Sequence, residues 1–399
     1  MVIFIDRGPR PARGKCRKIS KKDYLRRTNH TNMINYNTDP RIILTLDTGG
    51  TNMVFGAMQR GEFIVEPLTL PAHADNLDLC LTTMVEGFQA IIDQLDERPA
   101  AISFAFPGPA DYPNGIIGGQ LLNFPAFREG VALGPYLKKK FSMPVYINND
   151  GDLYAYGEAL GGFLPEVNEM LDEAGSRKRY RNLLGFTLGT GLGIGMVVNG
   201  QLNRGDNSCI EMFSIPYLGH DGVFAEEGAS IRAVKRVYGE LSGNPDHGLD
   251  PLHIFQIAEG QLEGDMEAAK GAFAQMGKVL GDTIAMTVSI TDGLVVIGGG
   301  LAGAYKYMKD AMFETLRGKM YRLDGEPISK LASKVYDLDN PEELRQFLRG
   351  EQKSIKIYNS EIEVTYDPQK RIGIALSKIG ANKAVSLGAY AFALNQLSR

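Results

Sequence analysis

The amino-acid sequence predicts an α/β protein built from two similar halves that face a common cleft. The chain has 399 residues, which is more than a single hydrophobic core usually holds. Apolar runs of strand length alternate with segments whose apolar residues recur at helical spacing. One pattern, a strand followed by a glycine turn and a second strand, occurs at residues 41–59 and returns at residues 183–198. Two successive α/β units of the same kind explain all three observations.

The composition is ordinary for a soluble globular protein. Hydrophobic residues make up 44% of the chain and charged residues 23%, which argues against global disorder. The net charge of −4 gives no reason to expect nucleic acid as a partner. The sequence shows neither an apolar run that could span a bilayer nor a signal peptide, and its three cysteines form no CxxC pair. We therefore expect a cytoplasmic protein with no membrane partner.

Residues 1–40 differ from this average, because they are rich in arginine and lysine and poor in apolar periodicity. They could be a basic arm for nucleic acid, a disordered tail, or a segment ahead of a translation start at Met33. We favour the last two interpretations together and predict a basic, disordered extension. The segment is too short and irregular to form a complete helix-turn-helix domain.

Two glycine turns carry the repeated pattern. The first lies in DTGGTN and comprises Gly49, Gly50, Thr51 and Asn52. The second lies in TLGTGLGIG and comprises Gly189, Thr190 and Gly191. Both turns join two strands, whereas a Rossmann unit places its glycines between a strand and a helix. Backbone N–H groups at such turns form anion-binding concavities, so we predict that both turns bind the phosphates of ATP.

Two aspartates follow strands and are candidates for phosphoryl-transfer chemistry. Asp150 comes after two amides, Asn148 and Asn149, at the end of a strand. Asp150 or Asp152 could instead simply cap the following helix. A carboxylate within reach of an acceptor hydroxyl can serve as its base, and we assign this role to Asp150. We assign Asp47 to holding hydrated Mg²⁺ near the phosphates, because Mg²⁺ often takes only one or two carboxylates.

A third glycine run, LVVIGGGLAG, delivers Gly298, Gly299 and Gly300 to the start of a helix. Glycines after a strand allow the backbone to approach a phosphate or a flat ring closely. The run alone is a weak signal, because similar runs are common. Its place in the chain, after both glycine turns, favours contact with the adenosine of ATP.

In combination, these motifs resemble the ROK family of bacterial sugar kinases, open reading frames and repressors. The resemblance covers roughly residues 41–304 and returns near residues 376–395. Besides the glycine turns, it rests on FPGPAD (106–111), LLNFP (121–125), INNDGD (147–152), IGGG (297–300) and SLGAYAFAL (386–394). It implies a duplicated actin/hexokinase-like fold, a sugar substrate, ATP with Mg²⁺, and Asp150 as the catalytic base. It also implies that Gly108, Asn123 and Asn149 line the sugar pocket.

The sequence departs from the family pattern in one stretch. The family usually has GExGH followed by a zinc-binding cysteine cluster, whereas this chain has CIEMFSIPYLGHDGVFAEEGAS at residues 209–230. Glu211 and Glu226 match the two sugar-binding glutamates of the family, while Ser214 stands at the histidine position. None of the cluster cysteines is present, so we expect no structural zinc. This departure bears mainly on which sugar is bound.

The resemblance also sets the expected domains. The N-terminal domain spans residues 41–151 together with a C-terminal helix at about 381–399, which packs back onto it. The larger domain spans residues 152–380 and contains an insertion at about 322–364; residues 163–182 form a second charged excursion that we expect to be exposed. A homodimer or homotetramer is expected from the family. The predicted function is ATP-dependent phosphorylation of a hexose or an N-acylated amino sugar, and the alternative is a non-catalytic, sugar-responsive transcriptional regulator.

Overall fold

The computed structural model describes residues 36–119, 121, 123–210 and 214–399. The interpretations of the basic extension concern residues that lie almost wholly outside this range. The first half contains six strands: β1 (Ile43–Thr48), β2 (Asn52–Gln59), β3 (Glu62–Phe63), β4 (Leu68–Pro71), β5 (Ala101–Ala105) and β6 (Val145–Asn148). They form one sheet of order β3-β2-β1-β5-β6, with β4 paired on β2. Strand β1 is antiparallel to β2 and parallel to β5, and β5 is parallel to β6.

The second half contains the remaining strands: β7 (Leu183–Leu188), β8 (Leu192–Val198), β9 (Gln201–Leu202), β10 (Leu294–Gly298), β11 (Lys319–Tyr321), β12 (Pro327–Ser329), β13 (Lys334–Asp337), β14 (Lys353–Lys356), β15 (Glu363–Tyr366) and β16 (Arg371–Leu376). Six of them form a sheet of order β13-β16-β10-β7-β8-β9. From β9 to β16 this order matches β3-β2-β1-β5-β6 strand for strand, with β13 added at the edge. The repeat in the sequence is therefore a repeat of the fold.

The described residues form ten α-helices. They are α1 (Leu77–Ile92), α2 (Leu133–Phe141), α3 (Asp150–Gly161), α4 (Phe163–Glu173), α5 (Ile231–Ser242), α6 (Pro251–Ala258), α7 (Met266–Thr291), α8 (Tyr305–Arg317), α9 (Pro341–Arg349) and α10 (Ala381–Leu397). In this part of the chain, no helix is both long enough and apolar enough to cross a bilayer.

Helices α3 and α10 pack closely along their length, and two glycines make this possible. A Cβ on Gly157 would lie 1.9 Å from the carbonyl oxygen of Ala384, and a Cβ on Gly388 would lie 2.0 Å from that of Leu153. Helix α10 also contacts β1 and β5. The last helix therefore packs back onto the first sheet. This packing fixes α3, whose first residue is Asp150.

The structure refines two expectations about added segments. The stretch at 322–364 is not one separate lobe: β13 joins the second sheet beside β16, while β11–β12 and β14–β15 form two small hairpins. The helix in this stretch is α9, which Asn340 caps by accepting hydrogen bonds from the N–H groups of Glu342 and Glu343. Residues 163–182 are not simply exposed, because α4 buries four apolar side chains: Phe163, Leu164, Val167 and Leu171.

Candidate active site

The predicted residues gather at the carboxyl ends of parallel strands. In the first sheet, Asp47 lies near the end of β1, and Asn149 and Asp150 follow β6 directly. In the second sheet, one glycine turn follows β7, and the 298–300 run begins at the end of β10. Strands β7 and β10 are parallel neighbours. Ligands of open α/β sheets bind outside such strand ends, so this edge of each sheet is the candidate site.

Asn149, and not Asp150, caps helix α3. The Oδ1 of Asn149 accepts hydrogen bonds from the N–H of Gly151 at 2.7 Å and of Asp152 at 3.4 Å. The Asp150 carboxylate also accepts from the N–H of Gly151, at 3.0 Å. Since the cap is supplied by an amide, capping alone does not account for an aspartate at position 150.

Two carboxylates with raised pKa values occupy the strand ends of the first sheet. Solvent reaches Asp150 from one side, but the surrounding protein removes much of its hydration and raises its pKa, against the hydrogen bond from Gly151. Burial also raises the pKa of half-buried Asp47, and the charge of Asp150 adds to this effect. The two acids are therefore close enough to repel each other. A hydrated Mg²⁺ would relieve this repulsion, and carboxylate oxygens are the ligands it prefers.

Glycines bring Asp150 against the second sheet. A Cβ on Gly195 would lie 2.2 Å from the carbonyl oxygen of Gly151, and a Cβ on Gly151 would lie 3.0 Å from the backbone nitrogen of Ile194. Larger residues at these positions would hold α3 away from β8. The close approach places Asp150 beside the strand that directly follows the second glycine turn.

The first glycine turn is exposed and lies against a predicted sugar residue. The N–H of Gly49 donates to the carbonyl of Asn52 at 3.0 Å, which closes the turn between β1 and β2. Gly49, Gly50, Thr51 and Asn52 are all exposed. A Cβ on Gly50 would lie 3.3 Å from the Cβ of Asn123. The structure thus brings Asn123 next to the predicted phosphate-binding turn.

The second glycine turn is held by a glutamate that the sequence suggested for another role. The N–H of Gly189 donates to the carbonyl of Gly191 at 3.1 Å. The Oε2 of Glu226 accepts from the N–H of Leu192 at 3.1 Å, and its Oε1 accepts from Arg232 at 2.8 Å. Both carboxylate oxygens of Glu226 thus have donors within the protein. Its role in binding a sugar stays a prediction.

The third glycine run lies beside the second turn. Gly298 pairs with Thr187 across the parallel strands β10 and β7. Gly299 has a φ of 91°, and a Cβ at this position would lie 2.5 Å from the carbonyl oxygen of Leu188. Only glycine fits this position without strain. A Cβ on Gly300 would face open space, so room remains there for a ligand.

A cavity of about 540 Å³ lies between the loop that follows FPGPAD and the start of the stretch in which the sequence departs from the family pattern. Its lining includes Pro109, Ala110, Asp111, Gly118, Asp206, Asn207 and Cys209. Gly108 immediately precedes this lining, and Ser214 is exposed. Glu211 lies outside the described residues. A larger cavity, of about 660 Å³, lies between Leu316 and Gln346 and contains none of the predicted site residues.

Arg204 is a candidate site residue that the sequence did not reveal. Its Nη1 donates to the Oδ1 of Asn148 at 2.7 Å, two residues before Asp150. Its guanidinium lies over the ring of Phe392, 4.9 Å from the ring centre. No motif marks Arg204, because the residue follows the short strand β9 and reaches the site only through the packing of the two halves.

The described part of the chain contains no group of three or more His, Cys, Asp or Glu side chains that could hold a metal ion. A hydrated Mg²⁺ needs fewer protein ligands than such a group supplies, so Asp47 fits it. The expected absence of structural zinc stays a prediction, because residues 211–213 lie outside the described range.

Comparisons with known proteins place this site in context. Residues 43–335 match the ROK family. A crystal structure of glucokinase from Parabacteroides distasonis is 50% identical with a TM-score of 0.81, over 90% of this chain and 99% of that one. N-acetyl-D-glucosamine kinase from Vibrio vulnificus is 30% identical over 41% of this chain and 48% of its own length, so the match spans about half of that relative. A Streptomyces griseus ROK glucokinase, solved with glucose and AMPPNP, shares the fold at a TM-score of 0.56 and 16% identity, over 88% of this chain and 98% of that one.

Two sheets of the same strand order, with acids and glycine turns at their strand ends, define an α/β protein of the actin-like, two-domain fold. The match over residues 43–335 and the 50% identity to the Parabacteroides distasonis glucokinase then show which family the chain belongs to. The chain belongs to the ROK family.

Proposed function

We propose that this protein is an ATP-dependent sugar kinase and that Asp150 is its general base. The observation that carries the proposal is the position of Asp150. Asp150 is exposed at the start of α3 and is not needed as the helix cap, and the next residue, Gly151, packs against the strand that follows the second glycine turn. A base for the acceptor hydroxyl is thus held beside the proposed phosphate-binding backbone.

In the proposed reaction, the Asp150 carboxylate accepts the proton of the sugar hydroxyl as that oxygen bonds to the γ-phosphorus of ATP. The bond from this phosphorus to the β–γ bridging oxygen breaks, and ADP leaves. The raised pKa of Asp150 makes it a stronger base than an ordinary carboxylate. The exposed turn at 49–52 and the partly exposed turn at 189–191 orient the phosphates through backbone N–H groups, and Gly298, Gly299 and Gly300 contact the adenosine. Mg²⁺, when bound near Asp47, neutralises the phosphate charge.

For the sugar pocket, we propose contributions from Gly108, Asn123, Asn149, Glu211 and Glu226. We expect glucose as the first candidate substrate, because the 50% identical Parabacteroides protein is a glucokinase. N-acetylglucosamine is the second, because the Vibrio relative acts on it by name. The domain bounds 41–151 with 381–399, and 152–380, remain part of this proposal.

The test is ADP release with Mg–ATP against a panel of glucose, mannose, fructose, allose, N-acetylglucosamine and N-acetylmannosamine. Wild type is compared with Asp150→Asn and with Asp246→Asn, an exposed acid in the loop after α5. We expect turnover with one sugar, unchanged turnover in Asp246→Asn, and a loss of about 10³-fold or more in Asp150→Asn, because the base is removed.

Calorimetry completes the test, because Asp150→Asn should still bind ATP and the sugar. Retained turnover in Asp150→Asn would remove Asp150 from the mechanism. Binding of a sugar with no turnover in wild type would instead favour the non-catalytic regulator.

A further inference from the structure

Residues 214–225 form a small hairpin directly ahead of Glu226. The N–H of Ala225 donates to the carbonyl of Ile215 at 2.6 Å, which closes the base of this hairpin. Glu226 follows at once, and its Oε2 accepts a hydrogen bond from the N–H of Leu192, beside the second glycine turn. The position of the Glu226 carboxylate at that turn therefore depends on what holds the hairpin in place.

The family pattern places a zinc-binding cysteine cluster in this stretch, but the residues present do not fit one. A structural zinc site is closed by four ligands, mostly cysteine and histidine. Between residues 214 and 230, the side chains that could bind a metal are one histidine and three acids: His220, Asp221, Glu226 and Glu227. Arg232 pairs with both glutamates. The described part of the chain contains no group of three such side chains that could hold a metal ion. The hairpin therefore needs another anchor.

Tyr217 ties the hairpin to helix α7. Its Oη accepts a hydrogen bond at 3.1 Å from the Nε2 of Gln275, which lies on α7. Its backbone N–H donates at 2.8 Å to the carbonyl of Val223, on the opposite side of the hairpin. Among residues 214–225, all of which the structure describes, only Tyr217 and Ala225 are buried. Tyr217 is thus the one large side chain that the hairpin inserts fully into the protein.

The ring of Tyr217 occupies a space that a glycine leaves open. A Cβ on Gly228 would lie 2.8 Å from the Tyr217 ring and 2.8 Å from the Cγ2 of Val279, which also lies on α7. The ring of His220 packs on that of Tyr217, with the ring centres 4.2 Å apart. A buried tyrosine whose hydroxyl has a partner combines apolar packing with a directional bond, so it can fix a loop without a metal.

We propose that Tyr217 holds the 214–225 hairpin where the family uses a metal cluster, and that it is a positioning residue for Glu226 at the second glycine turn. This role rests on the proposed function, because it requires that ATP binds at this turn. Without the anchor, the hairpin moves away from α7, and Glu226 no longer meets the N–H of Leu192.

Hydrogen exchange of the full chain tests the anchor independently of activity. Tyr217→Ala removes the ring and its hydrogen bond, whereas Tyr217→Phe removes only the hydroxyl. We expect the N–H groups of residues 217 and 225 to exchange about tenfold faster or more in Tyr217→Ala, and about fivefold faster in Tyr217→Phe. The matched controls are Tyr238→Ala and Tyr238→Phe, because Tyr238 is a buried tyrosine on α5 that packs on His247. Both should leave exchange in the hairpin unchanged.

Calorimetry with Mg–ATP tests the positioning role. We expect Tyr217→Ala to raise the Kd for ATP about tenfold, and Tyr217→Phe to raise it less, because the ring still packs. Tyr238→Ala should leave the Kd for ATP unchanged, although it removes a buried ring as well. With saturating ATP, kcat of Tyr217→Ala should stay within about twofold of wild type, because Asp150 lies on another element.

Each measurement can overturn the proposal. Unchanged exchange in Tyr217→Ala would show that the hairpin is held elsewhere. Stoichiometric zinc in the purified wild-type chain, measured by atomic emission, would show that a metal holds it. Faster exchange with an unchanged Kd for ATP would show that Tyr217 does not position Glu226. None of these results depends on turnover, so a wild type that binds ATP and phosphorylates no sugar would count against the proposed function alone.

Discussion

Arg204 donates a hydrogen bond of 2.7 Å from Nη1 to the Oδ1 of Asn148, and this bond joins the second half of the fold to the strand that carries the site. Asn148 is fully buried, and within the described structure its Nδ2 has no hydrogen-bond partner. The bond therefore determines which way the Asn148 amide points. Asn149 and Asp150 follow directly, so the position of the proposed base depends on a residue more than fifty positions further along the chain.

Replacing Arg204 should lower kcat more than it raises the KM for ATP. Arg204→Ala leaves a buried amide oxygen without its donor, which costs about 1–3 kcal/mol and permits Asn148 to rotate. We expect kcat to fall about tenfold or more. Arg204→Lys should recover part of the loss, since an ammonium can still donate but lacks the planar fork. Steady-state kinetics with Arg236→Ala as control, an arginine on the exposed side of α5, measures the effect. An equal loss of kcat in Arg204→Ala and Arg236→Ala would show that Arg204 does not position Asp150.

The raised pKa of Asp150 predicts a stability that depends on pH. A carboxyl with a higher pKa in the folded state favours folding at low pH, and this contribution is lost as the pH rises through the folded-state pKa. At neutral pH the charged Asp150 therefore destabilises the fold, so Asp150→Asn should raise Tm by at most a few degrees.

That difference in Tm should shrink as the pH falls through the raised pKa of the folded state towards the ordinary aspartate range near pH 4, because the wild-type carboxyl becomes protonated over this interval. Thermal unfolding of both proteins between about pH 4 and pH 8 measures it. A difference in Tm that stays constant with pH would contradict a raised pKa for Asp150. A Tm for Asp150→Asn below that of wild type at neutral pH would contradict it as well.

The sequence predicted the features that are local in the chain. The strands flanking both glycine turns and the helix after Asn149 follow from short-range patterns. The repeat predicts that the two sheets share one strand order, but it does not predict which order that is.

Contacts between distant segments could not be predicted in the same way. Nothing in the sequence near Glu226 indicates that its carboxylate reaches the N–H of Leu192, 34 residues earlier. Such features depend on tertiary packing and on the register of paired strands. Neither can be predicted from the periodicity of apolar residues in the sequence.

Gly195 in β8 and Gly189 in the second turn should separate folding from ATP binding. A Cβ on Gly195 would meet the carbonyl of Gly151 at 2.2 Å, so Gly195→Ala must push α3 away from β8. We expect a loss of about 1–3 kcal/mol in unfolding free energy. A Cβ on Gly189 meets no atom within 4 Å, so Gly189→Ala should leave stability nearly unchanged.

The same pair tests where the phosphates lie. If they occupy the space beside Gly189, Gly189→Ala should raise the KM for ATP about tenfold, because an added methyl group takes that space. Chemical denaturation and steady-state kinetics measure the two effects separately. An unchanged KM for ATP in Gly189→Ala would place the phosphates away from this turn.

Glu226 should affect ATP binding as well as any contact with the sugar. Its carboxylate accepts from the N–H of Leu192 and pairs with Arg232, whose Nη2 also reaches Glu227 at 2.7 Å. Glu226→Ala leaves the Leu192 N–H without its acceptor and loosens the turn at 189–191, so we expect the KM for ATP to rise about tenfold. Glu227→Ala is the matched control, because Glu227 shares the Arg232 partner, whereas the Leu192 N–H donates to Glu226. Steady-state kinetics with each substrate varied in turn distinguishes the two roles. A raised KM for the sugar with an unchanged KM for ATP would show that Glu226 acts only on the sugar side.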